Sequence, residues 1–559
     1  MDARYVAGRT NSDDCGWLGT WLSSVEDPCA HKFNPARTYL VCAWRDCKNQ
    51  PSGWLSFGLI GMLAFLPDAA SLAFSWHVLF ALMVGSVVGV IVGVLPGLGS
   101  ALGLVMVLPI TFGLEPAAAI AVLVSVYACS IYGGSVAAIL INVPGTPQSA
   151  ATVIDGYPMA KQGKAALALG WATIGSFIGG VFSLVMLIML APELARFSLN
   201  FGPIEIFALI TFAMTTIAWV SRGSLIKGVL ASLIGVFLGM CGPDEMTGQL
   251  RFDFDLFVLS GGFTLVPILI GVFAMSEIFA QAAFMKDATA PSVMEGGFKL
   301  APWHEWRARW ITLFRSSAIG SFIGILPGTG ATAAAFIAYA DAKRRSPRRE
   351  NFGHGEPEGV LASETANNAV SGGAMIPMLA LGIPGDGVVA VMMGALTVHG
   401  IVPGVFLFRD QPVLVTSIFI LFFLANIMIL VVGAVGAGLY AKLLRAPISL
   451  LMPAVVLLSF IGAFATRSNP FDFTVVIVAG IGGFLLRLNG FPLAPIIIGF
   501  ILGAPMEMGL RQGLVMTDQN FLAFARSPIA AFLFALTALV ILQPLIRLLF
   551  TTLKQKRSV

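Results

Sequence analysis

The sequence predicts an all-α polytopic membrane protein built from two repeats of opposite topology. Three observations carry this. Of 559 residues, 57% are hydrophobic and only 11% are charged, whereas soluble domains carry about 25% charged residues. Apolar runs of spanning length recur along the chain, enough for about 11–14 membrane segments at about 20 residues each. A Leu-Pro-Gly break interrupts apolar sequence twice, as Gly-Val-Leu-Pro-Gly-Leu-Gly at 93–99 and Gly-Ile-Leu-Pro-Gly-Thr-Gly at 324–330. The net charge of +4 is too small to point to nucleic acid. The excess Lys and Arg is read by position, as a topology signal.

Residues 1–52 are polar, of mixed charge, and contain no run long enough to span. They lack the basic start, apolar core and small-residue cleavage site of a signal peptide. They read as a disordered extension or as a mis-set translation start, with Met62 the alternative start. Cys15, Cys29, Cys42 and Cys47 fall here at spacings that match no common zinc pattern. Cys129 and Cys241 lie in apolar sequence and read as small fillers. No metal centre or resident cofactor is expected.

Repeat one is drawn at 53–284. Its first full span, about 76–95, carries Gly85, Gly89, Gly93 and Gly97 at every fourth position, a flat face for close helix packing. Pro96 and Gly97 then stop the helix, because Pro has no N–H to donate and Gly tolerates positive φ. A further apolar helix runs from Leu98 to about Phe112. After the loop Gly113–Pro116, a span at about 117–141 contains Tyr132-Gly133-Gly134-Ser135 and ends in Asn142-Val143-Pro144-Gly145-Thr146-Pro147, a second break. Residues 155–164 read as a polar turn. Spans follow at about 165–190, 203–220, 224–241 and 256–281. A loop at 285–309 separates the halves, with Trp303, Trp306 and Trp310 suited to a membrane interface.

Repeat two, 310–551, follows the same plan. Gly320, Gly324 and Gly328 repeat the spacing of four, and Leu326-Pro327-Gly328 lies 231 residues after Leu95-Pro96-Gly97. Gly372-Gly373 is aligned with Gly133-Gly134 at 239, and Pro384-Gly385 with Pro144-Gly145 at 240. Spans at about 388–408, 411–439, 449–465, 472–487, 491–510 and 528–550 complete the half, and 552–559 form a basic cytoplasmic tail. The loop after the first break holds only Glu115 in half one. In half two it holds Lys343, Arg344, Arg345, Arg348 and Arg349. The positive-inside rule places these loops on opposite sides, so the halves are predicted to be inverted. Paired broken helices in inverted repeats are a secondary-transporter architecture with a midplane site.

A broken helix offers N–H groups to an anion at one new end and carbonyls to a cation at the other. The candidate anion-binding positions are Pro96, Gly97, Gly99, Ser100, Asn142, Pro144, Gly145, Thr146, Pro327, Gly328, Thr329, Gly330, Pro384 and Gly385. The candidate positions for a coupling cation, such as Na⁺, are Ser135, Asn367, Asn368, Ser371 and Asp386. Asp386 is the one acid at a break, equivalent to Thr146. It either serves a coupling cation or proton, or caps the helix that begins there. Glu364 reads mainly as a charge at the start of a span. His77 and His399 read as interfacial. A membrane enzyme is disfavoured: residues 383–386 read Ile-Pro-Gly-Asp rather than GxGD, and there is no Ser-His or metal cluster.

These motifs resemble the large membrane subunit of the tripartite tricarboxylate transporters, the TctA family. The match covers 89–180 through Val-Leu-Pro-Gly-Leu-Gly-Ser, Leu-Pro-Ile-Thr-Phe-Gly-Leu-Glu-Pro, Tyr-Gly-Gly-Ser, Asn-Val-Pro-Gly-Thr-Pro and Asp-Gly-Tyr-Pro-Met-Ala-Lys-Gln-Gly-Lys. It resumes at 320–408 through Ile-Leu-Pro-Gly-Thr-Gly-Ala-Thr, Glu-Thr-Ala-Asn-Asn-Ala, Ser-Gly-Gly-Ala and Gly-Ile-Pro-Gly-Asp. Residues 1–52 depart from the family pattern. The resemblance implies cation-coupled uptake of small carboxylates across a bacterial inner membrane. It also implies a periplasmic solute-binding protein and a small membrane subunit as partners. The alternative function is a standalone carrier or channel for another small organic anion.

Overall fold

The structure is a computed structural model that describes residues 62, 64–220, 225–284, 297–328, 330–444 and 448–556. The readings placed on residues 1–52 and on Thr329 lie outside the described residues, as do residues 285–296 of the inter-repeat loop. Two helices form the centre. One is α4 (Pro116–Ile141), buried from Ala117 to Ile141. The other is α13 (Pro357–Leu381), buried from Glu358 to Ala380. A helix shielded on all faces is one packed inside a bundle.

The first half begins with α1 (Leu66–Ala73), α2 (Trp76–Val94) and α3 (Gly99–Thr111) ahead of α4. The second presents α11 (Trp303–Ile325) and α12 (Gly330–Arg345) ahead of α13. The glycine faces dictate the pairing. A Cβ on Gly89 would lie 2.9 Å from the Val126 backbone, and one on Gly93 would lie 2.2 Å from the Ser130 carbonyl. A Cβ on Gly320 would lie 2.3 Å from the Ala366 carbonyl, and one on Gly324 would lie 2.7 Å from the Val370 carbonyl. α2 thus packs backbone to backbone on α4, and α11 on α13. The opposite face of α2 exposes Phe80, Met83 and Val87, as a lipid-facing surface would.

These contacts correct one alignment. A Cβ on Gly133 meets Val90 and Gly93, and one on Gly373 meets Ser321 and Gly324. Gly133 therefore corresponds to Gly373, at an offset of 240 rather than 239, and the same offset carries through to the second break.

The rest of half one is α5 (Val153–Met159), α6 (Ala165–Ser198), α7 (Pro203–Val220), α8 (Leu225–Gly239), α9 (Leu265–Leu269) and α10 (Ser276–Phe284), the last two joined by a π turn. Half two continues with α14 (Gly387–Val398), α15 (Leu407–Asp410), α16 (Pro412–Leu443), α17 (Ile448–Arg467), α18 (Phe471–Leu488), α19 (Ala494–Met516) and α20 (Pro528–Lys556). Long helices cross between the halves: α6 packs on α13, and α16 on α4. Among the described residues, seven helices are long and apolar enough to cross a membrane, and six shorter apolar helices accompany them. The chain is a multi-pass membrane protein. A two-stranded antiparallel ladder, Gly242–Pro243 with Leu250–Arg251, is a small exception to the all-α plan.

Several boundaries differ from the sequence reading. Residues 155–164 are not a simple turn: α5 occupies 153–159, and the chain redirects at Gly163, whose φ is +75°. Packing wins over the local Pro and Gly signal, because Asp155 is wholly buried and bonded (below). Helix α11 starts at Trp303, inside the stretch read as a loop to 309, since Pro302 precedes the first turn and Glu305 bonds Arg309 one turn later. The span read at 388–408 ends at Val398, and the one read from 256 makes a short 3₁₀ turn at Phe257–Leu259 and becomes α-helical only at Leu265. Cys129 and Cys241 are buried free thiols, as expected of fillers. His77 is exposed at the start of α2, and His399 bonds the Thr111 hydroxyl at 2.9 Å.

Candidate functional site

The four breaks form two pairs of equal geometry. Leu95 and Leu326 have φ/ψ of −80°/116° and −78°/117°. Gly97 and Gly328 then take φ of +89° and +82°, and Gly99 and Gly330 take +70° and +69°. At the second break α4 ends on Asn142 with φ +61°, and α13 ends on Gly382 with φ +69°. A left-handed residue at this position is a common helix stop. Asn tolerates it better than most non-Gly residues.

Within each half the two breaks touch. A Cβ on Gly145 would strike the Gly93 carbonyl at 2.0 Å, and one on Gly385 would lie 2.8 Å from the Gly324 carbonyl. The Gly328 N–H donates to the Gly385 carbonyl at 2.7 Å, and the Gly145 N–H to the Gly134 carbonyl at 3.2 Å. Both amides are therefore engaged within the protein. The halves also interlock. The short 3₁₀ turn after the second break of half one, Pro147–Ala150, packs on α12. The helix after the second break of half two, α14, packs on α3.

The ends differ in what they offer. At the start of α3, Leu98 makes no side-chain cap, and the buried Ser100 hydroxyl has no partner among the described residues. At the start of α14, the Asp386 carboxylate accepts from the Val388 and Val389 N–H groups at 2.9 and 2.8 Å. Asp386 is thus an N-cap, with the positive helix end already answered by its own acid. Its counterpart Thr146 makes no such cap.

The proposed cation residues do not form one cluster. Ser371 bonds back to its own helix at the Asn368 carbonyl, 2.5 Å. Asn367 is buried, and neither polar side-chain atom has a partner among the described residues. Ser135 and Asn368 do converge, on a residue misread from the sequence. Glu364 is no terminal charge: it lies well inside α13, with none of its surface exposed. Its carboxylate accepts from Ser135 on α4 at 2.5 Å, from Thr152, and from Ser176 on α6 at 3.3 Å. Asn368 donates to the Ser176 hydroxyl at 2.7 Å. The sequence signal was the run Glu364-Thr365-Ala366-Asn367-Asn368, too polar for a span cap alone; its partners lie 188 to 229 residues away.

Asp155 forms a second cross-half contact. Its carboxylate takes the Gly353, Gly355 and Glu356 N–H groups at 2.8, 2.8 and 2.9 Å, and the Tyr339 hydroxyl at 2.9 Å. Arg309 bridges Glu305 and Glu356 and lies over the Trp171 ring.

Glycine-faced helices broken in matched pairs and packed around one centre make up a multi-pass, all-α membrane protein. Residues 79–498 match the model of the tripartite tricarboxylate transporter TctA family, and the chain belongs to that family. It is 39% identical over 430 residues, 77% of this chain and 86% of the relative, to an Agrobacterium vitis protein described as an uncharacterized 52.8 kDa protein in the TAR-I ttuC' 3'region. It is 37% identical over 217 residues, 39% of this chain and 90% of the relative, to an uncharacterized protein of the TAR-II ttuC' 3'region of the same organism. No solved structure matches.

Proposed function

We propose that this chain is the large permease subunit of a binding-protein-dependent secondary transporter. It takes up di- and tricarboxylates with a cation across the bacterial inner membrane, working with a periplasmic solute-binding protein and a small membrane subunit. The observation that carries the reading is the interlock of four matched breaks, with the segment after the second break of each half seated on the helix after the first break of the other. Two halves read as 53–284 and 310–551 supply these breaks, and their loop charges favour an inverted arrangement.

The substrate seat lies at the breaks. The start of α3 offers amide dipoles without a protein cap, Ser100 offers a free hydroxyl, and Gly97 and Gly99 let the backbone approach a carboxylate closely. The α12 start at Gly330 is its counterpart in half two, with the Gly328 N–H already bonded to the Gly385 carbonyl in this conformation. Gly145 and Gly385 have a different task in this conformation: they close the breaks against α2 and α11. Asn142, Pro144, Thr146, Pro327 and Pro384 shape the turns.

The test is uptake of radiolabelled di- and tricarboxylates by cells lacking their own system and carrying this chain with its partner proteins, in Na⁺ and Na⁺-free buffer. Accumulation that needs the chain and follows a cation gradient is expected. Accumulation unchanged on deleting the chain overturns the reading.

A further inference from the structure

We propose that Glu364, Ser135, Thr152 and Ser176 form a Na⁺ site that ties the two halves together. The inference deepens the transporter reading and rests on it. A carboxylate taken wholly out of water is costly unless its charge is answered. Among the described residues the groups that answer Glu364 are three hydroxyls, from Ser135, Thr152 and Ser176, and no basic side chain. Hydroxyl donors suit an anionic carboxylate, but they do not neutralise it. The missing positive charge is taken up either as a proton on the carboxylate or as a mobile cation. A hard cation takes oxygen ligands, and this cluster is all oxygen, with Asn368 holding Ser176 in place.

Helix packing alone does not call for this cluster. At the offset of 240, Glu364 corresponds to Val124, Asn368 to Ala128 and Ser135 to Met375. These equivalent positions are therefore apolar, and α4 packs on α16 with Cys129 against the Ala425 carbonyl. One of two matching seams has acquired a carboxylate and its hydroxyls. The cluster also draws on four separate segments. Glu364 comes from half two, while α4, Thr152 and α6 come from half one. An ion bound there holds the seam between α13 and half one closed, and its loss leaves a lone buried charge that favours separation. Occupancy is thereby coupled to the relative position of the halves.

The experiment is thermal unfolding of the purified full chain in detergent, with NaCl replacing choline chloride at constant ionic strength, and KCl as a third arm. A saturable rise in midpoint specific to Na⁺ is expected in the wild type and absent in Glu364→Gln. In Ser176→Ala the half-saturating Na⁺ concentration should rise by at least about tenfold, the loss of one good ligand contact. No Na⁺-specific rise in the wild type overturns the proposal, as does an undiminished rise in Glu364→Gln. A rise produced by acid without Na⁺, and not added to by Na⁺, assigns the charge to a proton and also overturns it. If Glu364→Gln elutes aggregated, Ser176→Ala decides: an unchanged half-saturation sinks the site. The measurement uses no substrate. Failed carboxylate uptake leaves a positive result standing, and absent Na⁺ binding leaves the transporter reading intact with another coupling ion.

Discussion

The Asp155 carboxylate, on a short helix of the first half, accepts the Glu356 N–H at 2.9 Å, 201 residues away in the second. With the Gly353 and Gly355 amides on the same oxygen, it fixes the loop that leads into α13. Hydrogen bonds to a charged group contribute about 1.5–3 kcal/mol each and are not additive here. Asp155→Ala is expected to lower stability by about 3 kcal/mol, read as a lower unfolding midpoint of the purified protein. A midpoint within a degree of wild type would show that the loop holds without this anchor.

Two glycine substitutions should differ sharply. A Cβ at Gly93 meets the Ser130 carbonyl at 2.2 Å, a backbone atom that cannot step aside. Gly93→Ala is expected to abolish folded protein in the membrane fraction. Gly99→Ala meets nothing within 4 Å but keeps φ at +70°, so it pays only backbone strain of about 1–3 kcal/mol. Size-exclusion profiles of the two variants would reverse this order if backbone contact were unimportant.

Asp386→Asn retains a capping oxygen, since Asn caps nearly as well as Asp, whereas Asp386→Ala costs about 1 kcal/mol of stability. On the proposed role in coupling, Asp386→Asn reduces uptake although its stability is close to wild type. Uptake at the wild-type level in Asp386→Asn would confine this acid to capping.

Asn142→Ala tests the left-handed stop of α4. Ala at φ +61° costs about 1–2 kcal/mol, while Asn142→Gly keeps the geometry. Uptake is expected to fall in the first and survive in the second. Equal loss in both would assign a role to the amide side chain itself.

The hairpin at 242–251 should be insensitive to mild acid. The Arg511 hydrogen bond, aided by the Met246 and Thr247 amides and by Arg251 against the opposing effect of burial, holds the Asp244 carboxyl well below the usual carboxylate range. A lowered acid contributes stability that is present above its unfolded pKa and is lost only as pH falls through the folded one. Protease nicking of the hairpin should thus stay constant from pH 7 to about 4, near the ordinary value for Asp. Arg511→Gln should start the rise in nicking at higher pH.

The breaks were legible because their cause is local. Proline removes a donor and glycine accepts positive φ wherever they stand, so Pro96-Gly97 and Pro327-Gly328 announce themselves. The repeat is legible for the same reason, although the packing pairs Gly133 with Gly373, one residue from the register that the two Gly-Gly pairs suggest. The polar cluster was not legible. Glu364 looks like a helix-start charge because Pro357 and Glu358 lie just before it, and nothing in its neighbourhood names Ser135, Thr152 or Ser176. Asp155 was hidden by its neighbours: Gly156, Pro158 and Gly163 carry turn chemistry, yet the segment is helical because its carboxylate is needed on the 353–356 loop.

The glycine stripes also bear on how this molecule can move. Where α2 meets α4, and α11 meets α13, bare backbone touches bare backbone. There is no rotamer to re-seat and no slack to absorb a twist, so each pair travels as one rigid piece. The joint between α6 and α13 is as tight, since a Cβ on Gly179 would lie 2.1 Å from the Thr365 carbonyl, so α13 is gripped by bare backbone from two sides and any sliding must be taken up elsewhere.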